Sequence, residues 1–205
     1  MEFSQYVKWL KPLAWLSCLS PLATLIWKAL NNGLGANPDE YIRNSTGYWT
    51  LAFLCMTLGI TPARRLLRQN CLIRFRRMLG LFAFFYGCLH FVTYFLFDTG
   101  FDFRQVAEDV SKRPFITVGF TSFVLMVPLA ITSSAAMVRR LGGRRWQALH
   151  RLIYPGAIAG VIHYYWLVKS DVTVPQRFAL VIAVLLSYRL IHSIVPFAPV
   201  PRAVR

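Results

Sequence analysis

The sequence predicts an all-α polytopic membrane protein, a bundle of six transmembrane helices with both termini cytoplasmic. Three observations carry this prediction. Of 205 residues, 56% are hydrophobic and 15% aromatic, and the mean hydropathy is +0.47; a soluble domain of this length needs more polar surface. The apolar residues gather in runs suited to helices, which need ~20 residues to cross the hydrocarbon core, and too long for barrel strands. The net charge of +15 is concentrated in short arginine-rich loops between those runs, as the positive-inside rule requires. No basic stretch stands apart as a nucleic-acid-binding unit, so the expected surroundings are membrane lipid and no nucleic acid is expected.

The first run covers roughly residues 9–30 and is interrupted by Pro12 and Pro21. It reads as a retained span, since no small-residue cleavage site follows it. The second covers about 46–60 and closes at Thr61-Pro62, the third about 78–97, the fourth about 115–137, the fifth about 148–168 and the sixth about 178–195. Residues 1–195 thus form one membrane domain, and 196–205 a disordered cytoplasmic tail. The N-terminus, the loops 64–77 and 139–145 and the tail together hold twice as many Lys and Arg as the alternate loops, which places both termini inside. No internal repeat is visible, and no G-x-G-x-x-G or P-loop stands on a strand–helix unit. Cys18, Cys55, Cys71 and Cys88 form no C-x-x-C pair, so neither a disulfide nor an iron–sulfur centre is expected.

An ionisable side chain inside a span is a functional candidate by default, because it is costly there without a partner. His90, in the third span, and His163, in the fifth, both fall in the outer half of helices that run the same way. Two neutral imidazoles at similar depth are what bis-histidine haem ligation needs. The competing reading is that each histidine only bridges helices by hydrogen bonds. His150 precedes His163 by 13 residues, about 20 Å of helix, a separation that suits a second haem near the other leaflet. Thirteen residues do not return a straight helix to the same face, but a kink or loosened turn at Pro155 would correct the phase. Arg76 stands 14 residues before His90, on nearly the same face. It would face that inner site, and a salt bridge to a propionate suits a guanidinium better than metal ligation. Arg74 and Arg77 offer similar contacts to propionate, quinone or flavin phosphate. His192, beside Ser193, reads as an interfacial residue. Gly80, Gly87, Gly156 and Gly160 permit close approach of a helix or a flat macrocycle.

The stretch Arg76-Arg77-Met78-Leu79-Gly80-Leu81 with Tyr86 and His90, then Arg145 to Tyr154 with Leu149-His150-Arg151-Leu152, then His163-Tyr164-Tyr165-Trp166, resembles the ferric-reductase-like transmembrane family. Within it, the resemblance is to haem-binding membrane subunits of bacterial periplasmic methionine-sulfoxide reductase systems, and it covers nearly the whole chain. It implies a multi-pass protein of the bacterial inner membrane with b-type haem between the third and fifth spans: one haem on His90 and His163, and a second in question at His150. It also implies a bound FMN. Electrons would come from the quinone pool or a cytoplasmic flavin reductase. They would leave to a periplasmic molybdopterin-containing methionine-sulfoxide reductase subunit, in a heterodimer that supports repair of oxidised proteins. Substrate chemistry would belong to that partner, and the outer acidic residues from Asp98 to Asp109 are candidates for docking it. Relatives with two histidines on each helix differ here, because Arg76 stands at the fourth histidine's place; the flavin and NADPH domains of those relatives are missing as well. Two alternatives remain at this level: a stand-alone cytochrome b561-like ferric or quinone reductase, and a non-redox transporter or assembly factor, the former of these last two lacking the inverted repeat that transporters often show.

Overall fold

The computed structural model describes residues 3–194, with side chains described from 10 to 191; the expected tail at 196–205 lies outside them. Among the described residues every regular element is helical. These are α1 (Phe3–Leu30), α2 (Pro38–Leu66), α3 (Ile73–Phe97), α4 (Phe103–Lys112), α5 (Pro114–Ile131), α6 (Ala135–Leu141), α7 (Gly143–Leu149), α8 (Ile153–Leu167) and α9 (Thr173–Ile194). Among the described residues, four stretches are long and apolar enough to cross a membrane: Leu10–Leu30, Asn70–Phe97, Pro114–Ile131 and Thr173–Ile191. The chain is a membrane protein with these four candidate spans. The remaining two expected spans lie in α2, whose ends are charged, and in α8, which is only 15 residues long.

Local signals set the boundaries. Helix α2 starts on Pro38, with Asp39 and Glu40 in its first turn and Arg64 and Arg65 in its last, so both ends complement the helix dipole. The Asp102 side chain accepts from the backbone N–H of Arg104 and Gln105 and caps α4. Ser134 caps α6 through the N–H of Met137. Gly142, at φ +75°, turns the chain between α6 and α7.

The sequence placed the end of the second helix at Thr61-Pro62, but α2 runs on to Leu66. Pro62 has no N–H to give the carbonyl of Leu58. That carbonyl is instead taken by Arg189 Nη2 from α9, at 2.8 Å, while the same nitrogen reaches Thr61 Oγ1 at 3.2 Å and Nη1 reaches Tyr154 Oη at 2.9 Å. A donor from another helix therefore lets the turn continue. In α1 the Tyr86 hydroxyl sits inside the ladder: it donates to Cys18 O at 3.0 Å and accepts from Leu22 N–H at 3.1 Å, one residue past Pro21.

Helix α2 packs most extensively on α3, and α5 on α8; α9 lies against both α2 and α8. Leu54 and Leu58 of α2, Phe82, Ala83 and Tyr86 of α3, and Ala157 of α8 form the fully buried centre. Large apolar side chains are meanwhile exposed along α1 (Trp15, Leu16, Trp27) and α9 (Leu180, Val184, Leu190), the inverse of a soluble surface and the pattern expected of a lipid-facing one.

Candidate functional site: a facing pair of histidines

His90 on α3 and His163 on α8 face each other with ring centroids 6.2 Å apart and ring planes 70° to one another. Each ring places its Nδ1 on a backbone carbonyl of a neighbouring helix. His90 Nδ1 bonds to the carbonyl of Arg43 in α2 at 3.0 Å, with Thr46 Oγ1 further off at 3.5 Å. His163 Nδ1 bonds to the carbonyl of Phe115 in α5 at 2.7 Å. A carbonyl only accepts, so Nδ1 carries the hydrogen in both rings, and each neutral imidazole keeps a bare lone pair on Nε2.

The two histidines are seated alike. In α2 and in α5 a glycine follows the accepting carbonyl by four residues: Gly47 after Arg43, Gly119 after Phe115. A Cβ on Gly47 would stand 3.0 Å from His90 Cε1, and one on Gly119 only 2.6 Å from His163 Nδ1. Three residues further on come Thr50 and Ser122, each against a second glycine that precedes the histidine by three. A Cβ on Gly87 would meet Thr50 Cγ2 at 3.6 Å, and one on Gly160 would meet Ser122 Oγ at 3.3 Å. The α2–α3 and α5–α8 pairs therefore build one arrangement twice, although the sequence shows no repeat. Ser122 also donates to the carbonyl of Gly156 at 2.8 Å, tying α5 to α8.

A cavity of about 240 Å³ opens between these helices, lined by both histidines, the four glycines, Phe91, Phe123 and Met126. Arg43, Asp98 and Arg113 stand at its polar end. There Arg43 Nη1 pairs with Asp98 at 2.7 Å and Arg113 Nε with Asp109 at 3.2 Å. Asp109, buried, also accepts from the Tyr94 hydroxyl at 2.8 Å.

Two neutral imidazoles with bare Nε2 lone pairs are chemically able to ligate a metal, but no cluster of three His, Cys, Asp or Glu side chains stands among the described residues. A metal held here must bring its remaining ligands with it. A planar macrocycle does so, leaving two axial positions. The spacing agrees: with metal–nitrogen bonds of about 2 Å and about 1 Å from nitrogen to ring centre, two axial imidazoles lie roughly 6 Å apart. The residues present fit a haem.

His150 is not part of this pair. It begins a 3₁₀ turn, His150–Leu152, that leads directly into α8, so a tightened turn lies between it and His163, and Pro155 sits in the first turn of α8. Its ring stacks on Trp146 at 3.9 Å. Its Nε2 lies 3.1 Å from Thr132 Oγ1, whose own hydrogen goes to the carbonyl of Pro128 at 2.6 Å. Nε2 must therefore be the donor, leaving Nδ1 open. Arg76 is half-buried and interacts electrostatically with His150, Arg64, Arg189 and Tyr154. Every ion pair among the described residues lies at the other end of the bundle. The side chain of His192 falls outside the described residues.

Sequence reading missed Arg43, Gly47, Phe115 and Gly119. One signal was available: Gly87-Cys88-Leu89-His90 and Gly160-Val161-Ile162-His163 share a Gly-x-x-His spacing.

Residues 46–161 match the family described as ferric reductase like transmembrane component. Among curated relatives, a protein of Herminiimonas arsenicoxydans is 56% identical over 88% of this chain and 84% of its own length. One of Ralstonia nicotianae is 54% identical over 85% and 82%, and one of Polaromonas naphthalenivorans 47% identical over 89% and 86%. All three are named protein-methionine-sulfoxide reductase heme-binding subunit MsrQ.

Proposed function

The chain belongs to the ferric reductase like transmembrane component family, and we propose that it serves as the haem-binding membrane subunit of a protein-methionine-sulfoxide reductase. In this reading it spans the bacterial inner membrane with both termini in the cytoplasm. It takes electrons from the quinone pool or a cytoplasmic flavin reductase and delivers them to a periplasmic, molybdopterin-containing reductase subunit that repairs oxidised methionine.

The observation that carries the proposal is the facing pair itself: His90 and His163, 6.2 Å apart, each with Nδ1 tied to a carbonyl and Nε2 bare. Bound between them, a b-type haem would supply one-electron exchange. The carbonyls of Arg43 and Phe115 fix ring orientation and strengthen the imidazoles as donors. The glycines give the flat rings room, and Phe91, Phe123 and Met126 exclude water from the cavity. A macrocycle would displace flexible side chains such as Met126, since 240 Å³ falls below the roughly 300–1,000 Å³ of preformed small-molecule pockets.

His150 with Arg76 is the candidate for a second cofactor at the inner end. The open Nδ1 offers one donor, and the half-buried guanidinium suits an anionic propionate or phosphate. The FMN implied by resemblance is assigned to no residues.

The test is the reduced-minus-oxidised spectrum of detergent-purified protein, with haem quantified per chain, for wild type and for His90→Ala, His163→Ala and His150→Ala. A b-type spectrum lost in the first two variants is the expected result, and the response of His150→Ala reports on the inner site. A colourless wild type expressed with ample haem would remove the proposal.

A further inference from the structure

The two half-sites match in design and differ in charge. The carbonyl that holds His163 belongs to Phe115, an apolar residue. The carbonyl that holds His90 belongs to Arg43, whose guanidinium reaches the polar end of the cavity and pairs with Asp98. Asp98 caps the C-terminus of α3, the helix that carries His90 about two turns earlier. The contacts therefore close a loop: from His90 along α3 to Asp98, across to the Arg43 side chain, and from the Arg43 carbonyl back to the His90 ring. Thr46 donates to the same carbonyl at 2.9 Å and steadies it. On the His163 side no charged residue supplies the carbonyl. Both members of the ion pair remain partly exposed, at 25% and 35%, so this loop is the point where the surface communicates with a ring of the pair.

We infer that Arg43 is the positioning residue of the His90 half-site, and that its ion pair with Asp98 sets how readily the bound haem accepts an electron. The inference rests on the haem-binding reading. Held on Asp98, the Arg43 side chain steadies the turn of α2 whose carbonyl holds the His90 ring. The Nδ1–H bond to the Arg43 carbonyl gives the imidazole more anionic character, which favours the oxidised metal. Removing Asp98 frees that turn and loosens the bond, which makes reduction easier. The His90 arm is thus the adjustable one, and a cationic face presented to Asp98 would have the same effect as its removal.

The test is a spectroelectrochemical titration of the haem-loaded protein, for wild type, Asp98→Asn, Arg43→Gln, the double variant and Asp171→Asn. Asp171 is an exposed outer-loop carboxylate that accepts from the Thr173 N–H at the start of α9 and makes no contact with Arg43 or Asp98. Asp98→Asn should raise the reduced-to-oxidised ratio at fixed ambient potential three- to tenfold, tenfold being 59 mV for one electron. Asp171→Asn should leave it unchanged. In the Arg43→Gln background the Asp98→Asn shift should shrink, because Asp98 acts through Arg43; if Arg43→Gln does not accumulate, Arg43→Lys serves as the background. The low-spin haem EPR signal, which reports ring orientation, should move in Asp98→Asn as well. An unshifted Asp98→Asn, an equal shift in Asp171→Asn, or a full shift persisting without Arg43 would each overturn the inference while leaving haem binding intact. A wild type that takes up no haem would instead overturn the reading beneath it.

Discussion

Replacing Gly119 by alanine tests the histidine seat most directly. The new Cβ would stand 2.6 Å from His163 Nδ1 and 2.8 Å from Cγ and Cε1, so it meets the flat of the ring rather than a flexible tip. Ordinary carbon contacts begin near 3.5 Å, so the ring must retreat by about 1 Å. The hydrogen bond to the Phe115 carbonyl, 2.7 Å long in the native arrangement, cannot survive that movement. Overpacking of this kind costs about 1–3 kcal/mol, and losing the anchor about 1 kcal/mol more. At 1.4 kcal/mol per tenfold, haem affinity should fall roughly 30- to 1,000-fold if the strain is felt in the bound state. The assay is titration of haem into stripped protein, followed at the Soret band. Gly59→Ala is the control, since its Cβ meets nothing within 4 Å. Unchanged haem affinity in Gly119→Ala would refute the idea that this glycine seats the ligand. Gly47→Ala, with a 3.0 Å contact, should show a weaker defect of the same kind.

Other consequences concern the scaffold. Tyr86→Phe should remove the hydroxyl that bridges Cys18 O and Leu22 N–H, so that α1 must close its own bond there and loses its tie to α3, at a cost of about 1 kcal/mol; an unchanged thermal midpoint in detergent would argue against the inserted hydroxyl. Arg189→Leu should destabilise by a similar amount through the carbonyl of Leu58. Adding Pro62→Ala should recover much of that loss, because residue 62 then supplies its own N–H; absence of rescue in the double variant would show that Arg189 does something else. Ser122→Ala should cost about 0.6 kcal/mol, typical of an interhelical hydrogen bond in a membrane, again read by thermal unfolding.

The helical class and the placing of His90 and His163 were legible because both follow from composition and position along a span. Their partners were not. A carbonyl has no residue signature, so nothing in Arg43 or Phe115 announces that its backbone holds a ring; only the tertiary approach of α2 to α3 and of α5 to α8 creates the contact. The surroundings of His150 were not legible either, because the 3₁₀ turn that carries it into α8 and its contacts with Trp146 and Thr132 depend on how α5, α7 and α8 pack. Pro62 was read as a stop signal by the local rule, which holds unless a remote donor arrives, and here Arg189 supplies one.

That remote donor also bears on how the chain is made. When α2 first forms during synthesis, the Leu58 carbonyl has no hydrogen to accept from its own helix, because Pro62 cannot give one. The group that satisfies it lies 131 residues downstream and does not yet exist. The half-built protein thus carries a polar gap that α9 closes, and truncation before α9 should leave the earlier helices inserted but recognisably unfinished to the cell's membrane quality control.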